Sequence, residues 1–402
     1  MNNEIIKNIK DKENEIVELL VNIINIKALS PLNNGKGELE RAKFIKDKLE
    51  HWGFEVKEYD YIDEANIIRP NLITKYGQNQ KTIWLVAHMD TVAEGDSLAW
   101  KTDPFKGVVD SGKVYGRGSV DNGQSIVASL YALKTIKEMN IKTQFNIGLA
   151  LVADEENGSV YGIQKVLNEN IFKKGNDLFL VPDWGNGKGD KIEVAEKGIL
   201  WLKITVFGKQ CHASTPQQGV NAYRYAINFL KKADELLHNK YNAKNSLFDP
   251  NISTFEMTKH EKNLENINII PGKEITYIDC RVLPNYKLDN IINDLEMIAK
   301  SDEFKDVKIN FEALQKEEAA PATSIESEIV KILKHVIKEQ YNIDADAIGI
   351  GGGTCAAFFR RAGFDAVAWS TSNDDEQAHQ PNEHTLIGSI INDTITFAHL
   401  FL

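Results

Sequence analysis

The sequence predicts an α/β protein built on a largely parallel sheet, with an α+β unit inserted into it. Three observations predict this. The apolar runs TIWLVAH (82–88), FNIGLALVA (145–153) and DLFLVP (177–182) each give way to polar residues, as buried strands do when both faces of a sheet are covered. A segment near 123–138 with helical spacing lies between the first two runs, where a crossover helix belongs. From about 197 the style changes: ILWLKITVF and EITYIDCRV alternate apolar and polar residues, as strands with one open face do.

In chain order, helical periodicity covers about 4–27 and 37–51, the second closed by Gly53, a suitable C-cap. The three buried strands and their crossover follow. Within the alternating region, AYRYAINFLKKADELL has helical spacing. After about 313, ALQKEEAAPATS reads as a linker, and the helix SEIVKILKHVIKEQY with the strand DAVAWST restores the earlier style. The expected organisation is one domain in two pieces, 1–196 and 313–402, around an inserted domain at 197–312.

Composition narrows the function. The 402 residues include 47 basic and 58 acidic side chains, a net charge of −11. That balance argues against a phosphate-neutralising surface, so no nucleic-acid partner is expected. The 42% apolar content suffices for two cores. Cys211, Cys280 and Cys355 are odd in number and lack CxxC spacing, which indicates neither a disulfide framework nor a thiolate zinc site and fits a reducing compartment. The N-terminal MNNEIIKNIKDKENEIVELLVNIINI mixes charged with apolar residues, unlike a signal peptide. No stretch approaches the roughly 18 apolar residues of a membrane span. A cytoplasmic protein with no membrane partner is the expectation.

Ligand sites in open α/β sheets form beyond the carboxyl ends of strands, and those ends carry ligand-type residues. The first run closes on His88-Met89-Asp90, the second is followed by Asp154-Glu155-Glu156, and the third by Asp183. GRGSVDN places Asp121 just before the presumed crossover helix, and AHQPNEH supplies His379. A single strand-terminal carboxylate is usually a turn former or helix cap. Adjacent carboxylates repel unless a cation compensates, and several such ends together change the reading. Two imidazoles and at least three carboxylates without a thiolate describe a divalent site of zinc, cobalt or manganese character. His88 and Asp90, two apart on an extended backbone, point to the same side as a ligand and its orienting partner would. Glu155 and Glu156 must point differently, which suits one ligand and one free base.

The run WLVAHMDTVAEGDSLAWKTDPFKGVVDSGKVYGRGSVDNG, followed in order by ADEENG, VPD, GKQCHASTP, NIIPG, DCRVLP, GGGT and HQPNE, resembles the aminoacylase and glutamate carboxypeptidase family of two-metal hydrolases. That family includes acetylornithine deacetylase and succinyl-diaminopimelate desuccinylase. The resemblance implies a catalytic domain of zinc-peptidase type with an inserted lid and dimerisation domain, and a homodimer. It implies that His88 and Asp183 hold one metal, Glu156 and His379 the other, and that Asp121 bridges them. Glu155 would be the general base, with Asp90 beside His88. It further implies that His212 stabilises an oxyanion in the partner subunit's site, and that Asn268, Arg281, Gly352, Gly353 and Thr354 contact substrate. The implied reaction is hydrolysis of an amide bond in an N-acylated amino acid or short peptide bearing a free carboxylate. Two departures stand out. The pattern often carries a lysine two positions after the bridging aspartate, where this chain has Gly123. The deacetylase and desuccinylase branches usually have glutamate at Asp183, while the carboxypeptidase and dipeptidase branches have aspartate.

Plainer readings stand beside these. IGIGGGT lacks the endings of a nucleotide-binding loop and could be a tight turn before a helix. Arg281 could be a structural ion pair with Asp279 on the same strand face. The alternative function is a non-catalytic metal- or amino-acid-binding protein on the same fold, which a missing ligand would signal; none is missing.

Overall fold

The computed structural model describes residues 1–372 and 378–402. The chain divides into two compact units: residues 1–194, 322–348 and 354–402 form the larger, and 195–321 with 349–353 the smaller.

An eight-stranded sheet runs in the order Lys57–Ile62, Ile68–Tyr76, Asn146–Val152, Thr82–His88, Asp177–Asn186, Ala366–Thr371, Lys191–Glu196 and Asp346–Ile350. Four strands at its centre, from Asn146–Val152 to Ala366–Thr371, are parallel. Ile68–Tyr76 and Lys191–Glu196 flank them antiparallel. Every residue of Thr82–His88 and of Asn146–Val152 is buried, which is why these strands read as unbroken apolar runs. The crossover helix Ser125–Glu138 is buried from Ser125 through Ile136. Parallel pairing sets His88 opposite Val152 and Leu85 opposite Leu180. The carboxyl ends of Thr82–His88 and Asn146–Val152 therefore finish at one edge of the sheet, each with an acidic residue two positions on, Asp90 and Asp154, whereas the run expected to end at Pro182 continues as a strand through Asp183 to Asn186.

In the smaller unit, four antiparallel strands lie in the order Thr254–His260, Lys273–Val282, Gly198–Phe207 and Lys308–Glu317. Leu200, Leu202 and Ile204 turn inward to a core with Phe229, Leu237, Ile278 and Leu295, while Trp201 between them is 42% exposed. This is the alternation read in the sequence, and the α/β class with an inserted α+β unit is the architecture observed.

Two expectations are corrected. The helix expected over 4–27 is two, Asn3–Asp11 and Glu13–Asn25, broken at Lys12, where the polar run Asp11-Lys12-Glu13-Asn14 offers no apolar side chain to bury. The stretch read as a linker from 313 is, as far as Glu317, the end of the edge strand Lys308–Glu317 paired with Gly198–Phe207. That strand is mostly exposed, so its charges hide the pattern. Among the described residues, no helix is long and apolar enough to cross a membrane.

Candidate metal centre

Two strand ends, a third strand and two connecting segments bring six acidic and imidazole side chains together. His88 closes its strand and is 2% exposed. Asp121 sits, with non-helical φ and ψ, in the kinked segment Ser119–Gln124 that leads into the crossover helix. Glu155 and Glu156 form the short turn after Asn146–Val152, Asp183 lies in Asp177–Asn186, and His379 precedes the short strand His384–Leu386. His88 Nε2 is 2.7 Å from Asp121 Oδ1 and 3.3 Å from Asp183 Oδ1. His379 Nε2 is 3.0 Å from Asp121 Oδ2 and 3.2 Å from Glu156 Oε2. The two oxygens of Asp121 thus face different imidazoles. Two groups, His88 with Glu155 and Asp183, and His88 with Asp121 and Glu156, each present ligand atoms within 4.8 Å of one another.

The electrostatics test whether this donor set fits divalent cations. Burial, then the charge of Asp183, pushes the Glu155 carboxyl well up. Burial, then Asp121, pushes Glu156 up to about 7. Burial likewise raises Asp183, against the pull of His88. His379 is pushed up to about 11, chiefly by its hydrogen bonds with Asp121 and Glu156. Burial opposes ionisation of Asp121, yet hydrogen bonds from His379 and His88 outweigh it and hold its carboxyl low. Four carboxylates crowd two imidazoles, and their mutual repulsion is the kind that bound cations relieve. Imidazole and carboxylate donors suit zinc, cobalt or manganese. The residues fit a metal centre.

Supporting groups orient these side chains. The expectation for Asp90 is refined. His88 Nδ1 lies 3.2 Å from the Asp90 carbonyl and 3.4 Å from its Oδ1. The Asp90 carboxylate also accepts the backbone N–H of Glu155 (3.0 Å) and of Glu156 (3.1 Å). Asp154 starts this turn in the left-handed region, φ 64°, and is tied to Arg69 Nη1 at 3.1 Å. Arg69 is in turn held by Glu38, with both residues buried. Asn122 donates its side-chain N–H to Asp183 Oδ1 and to the Pro182 carbonyl. At Gly123 an added Cβ would stand 2.3 Å from the Gly118 carbonyl oxygen, so this tight turn has no room for the lysine common there in the family. Sequence reasoning named Asp154 only as one of three adjacent carboxylates and gave no role to Asn122, Arg69 or Glu38, because a buried polar side chain looks no different in sequence from an exposed one.

The remaining sequence-predicted site residues lie elsewhere along the chain. His212, Asn268, Arg281, Gly352 and Gly353 belong to the smaller unit, and Thr354 to the larger. His212 is exposed, and its Nδ1 lies 2.7 Å from Ser214 Oγ. The Asn268 carbonyl accepts the Ala213 N–H at 2.9 Å. Arg281 makes the ion pair weighed from the sequence, Nε to Asp279 Oδ1 at 2.7 Å, and its Nη1 donates to the Gly351 carbonyl at 2.9 Å. The nearest atom to a Cβ built on Gly353 is Ile199 Cδ1 at 3.7 Å, so packing among the described residues does not require glycine there. Thr354 Oγ1 accepts the Ala356 N–H at 3.1 Å.

Comparison with known proteins agrees with this geometry. Residues 84–402 match Peptidase family M20/M25/M40. The chain is 42% identical over 399 residues to an uncharacterized metallohydrolase of Methanocaldococcus jannaschii, covering 94% of this chain and 96% of that one. It is 27% identical over 379 residues to succinyl-diaminopimelate desuccinylase of Orientia tsutsugamushi, covering 93% and 92%. Its fold resembles that of human carnosine dipeptidase 1 with a TM-score of 0.77 at 18% identity, covering 99% and 98% of the two chains.

Proposed function

The chain belongs to peptidase family M20/M25/M40, enzymes that act on amide bonds, and from that premise we propose a two-metal-ion hydrolase of small N-acylated amino acids or short peptides bearing a free carboxylate. The observation that carries this reading is the sharing of Asp121, one oxygen toward His88 and the other toward His379.

In this proposal His88 and Asp183 hold one ion, Glu156 and His379 the other, and Asp121 serves both. When bound, the ions lower the pKa of a water and polarise the amide carbonyl. Glu155, whose carboxyl burial already pushes up, takes the proton of the attacking water and delivers it to the leaving nitrogen. Asp90 orients His88 and anchors the Glu155 turn. Arg281, held flat by Asp279, pairs with the substrate carboxylate. Asn268 and the backbone of Gly352, Gly353 and Thr354 hold the substrate. The donor set favours zinc, with cobalt or manganese as substitutes. The smaller unit serves as lid and dimerisation domain, and His212 of a homodimer stabilises the oxyanion in the partner's site. The three free cysteines fit a cytoplasmic location.

The test is hydrolysis of a panel of acyl-amino acids and dipeptides by metal-depleted protein reloaded with zinc, cobalt or manganese. Wild type turns over at least one class. Glu155→Ala loses about 10²–10⁴-fold in kcat while retaining metal. Undiminished turnover by that variant removes Glu155 as base, and no turnover of any panel member by wild type removes the reading.

A further inference from the structure

Glu383 lies four residues after His379 and is 0% exposed. Its Oε1 accepts the backbone N–H of Val120 at 3.0 Å and of Asp121 at 3.2 Å. Its Oε2 accepts the Gly118 N–H at 3.1 Å and Arg117 Nη1 at 2.5 Å. Its own carbonyl accepts the Gly116 N–H at 2.9 Å, and the next residue, His384, pairs with Tyr115 in a short antiparallel ladder. Residues 115–121 and 383–384 are thus closed along one seam. Ahead of it, the Asn382 side chain bonds the Ala99 carbonyl at 2.9 Å and the Lys101 N–H at 2.8 Å, which pins the far end of the His379 loop.

We infer that Glu383 is a positioning residue that fixes Asp121 relative to His379, so that the two metal positions form together. The inference rests on the proposed two-ion centre. The residue must be a carboxylate because three backbone N–H groups and a guanidinium converge on its two oxygens. A glutamine presents one acceptor oxygen and turns an NH₂ toward donors. The last of these N–H groups is that of Asp121 itself. Displacing it turns the backbone that points Oδ1 at His88 and Oδ2 at His379. Groups of this kind, one bond removed from the ligands, govern metal affinity.

Calorimetric titration of zinc ions into metal-depleted wild type, Glu383→Gln and Asp177→Asn tests this. Asp177 is buried at the start of its strand, where it accepts Trp84 Nε1 and the Lys173 N–H, both at 2.9 Å, and controls for a purely structural loss. Glu383→Gln binds zinc about 10–100-fold more weakly, whereas Asp177→Asn melts earlier with affinity unchanged. Wild-type affinity in Glu383→Gln overturns the inference while leaving the two-ion centre intact. A wild type that takes up no zinc rejects the centre itself, and the inference with it. Should Glu383→Gln not fold, hydrogen exchange on metal-free wild type decides: the amides of Gly118, Val120 and Asp121 are protected, and exchange at free-peptide rates overturns the inference.

Discussion

Asp90 Oδ1 accepts the backbone N–H of Glu155 at 3.0 Å, joining the end of one parallel strand to the turn after its neighbour. The same carboxylate reaches Glu156 N through Oδ2 and His88 Nδ1 through Oδ1 at 3.4 Å. One fully buried side chain therefore sets two proposed ligands and the proposed base, and the predictions begin there.

Asp90→Ala removes the acceptor for two turn amides. A buried donor left unpaired costs about 1–3 kcal/mol, so the metal-free variant is expected to unfold at lower urea than wild type. Its kcat falls as well, because the turn that aims Glu155 loosens. Urea unfolding with a parallel kinetic assay measures both, and a variant with unchanged midpoint and kcat contradicts the role.

Chelation should abolish activity, and divalent ions should restore it. The crowded carboxylates also make the metal-free protein less stable. An ion that binds only the native state adds about 2.7 kcal/mol at a hundred times its Kd, so calorimetric melting should rise with added zinc. A melting temperature indifferent to zinc at saturating concentration speaks against the centre.

Asp393 gives a pH dependence away from the proposed ligands. Its carboxylate accepts Thr371 Oγ1 at 2.8 Å and Gln124 Nε2 at 2.6 Å, yet burial outweighs these bonds and pushes its pKa up to about 7 from 3.8. The folded state thus holds the proton more tightly than the unfolded chain. This contribution is complete below about pH 4 and is lost as pH rises through about 7, near 1.4 kcal/mol for each unit between. Asp393→Asn should flatten that part of the stability profile; equal slopes for variant and wild type from pH 4 to 8 contradict it.

Arg281 sits beside Asp279 with one guanidinium nitrogen on the Gly351 carbonyl. Arg281→Ala should raise KM at least tenfold for substrates ending in a free carboxylate, and much less for their amides. Steady-state kinetics on matched pairs measures the difference, and equal penalties on both contradict a carboxylate contact.

How much of this was legible varies with the kind of signal. Thr82–His88 and Asn146–Val152 were readable because burial on both faces leaves an apolar run with no alternative. Lys308–Glu317 was not, since an exposed edge strand carries the same charges as a loop. His88, Glu155, Glu156 and Asp183 could be singled out because ligand-type residues close or follow buried apolar runs, and Asp121 and His379 because the loops GRGSVDN and AHQPNEH offer the same residue types. The roles of Asn122, Asp154, Arg69, Glu38 and Glu383 were not legible, because each acts through a partner distant along the chain.

The sequence by itself determined which strands are buried, which side chains stand at their carboxyl ends and which chemical class they suit, since each follows from residue type and local period. Only the tertiary structure decided that Asp121 divides its oxygens between His88 and His379, that Asp90 serves the Glu155 turn, and that Glu383 binds the Asp121 backbone. Those relations join residues tens to hundreds of positions apart. The distances that fix them come from parallel pairing and loop closure, which no local pattern encodes.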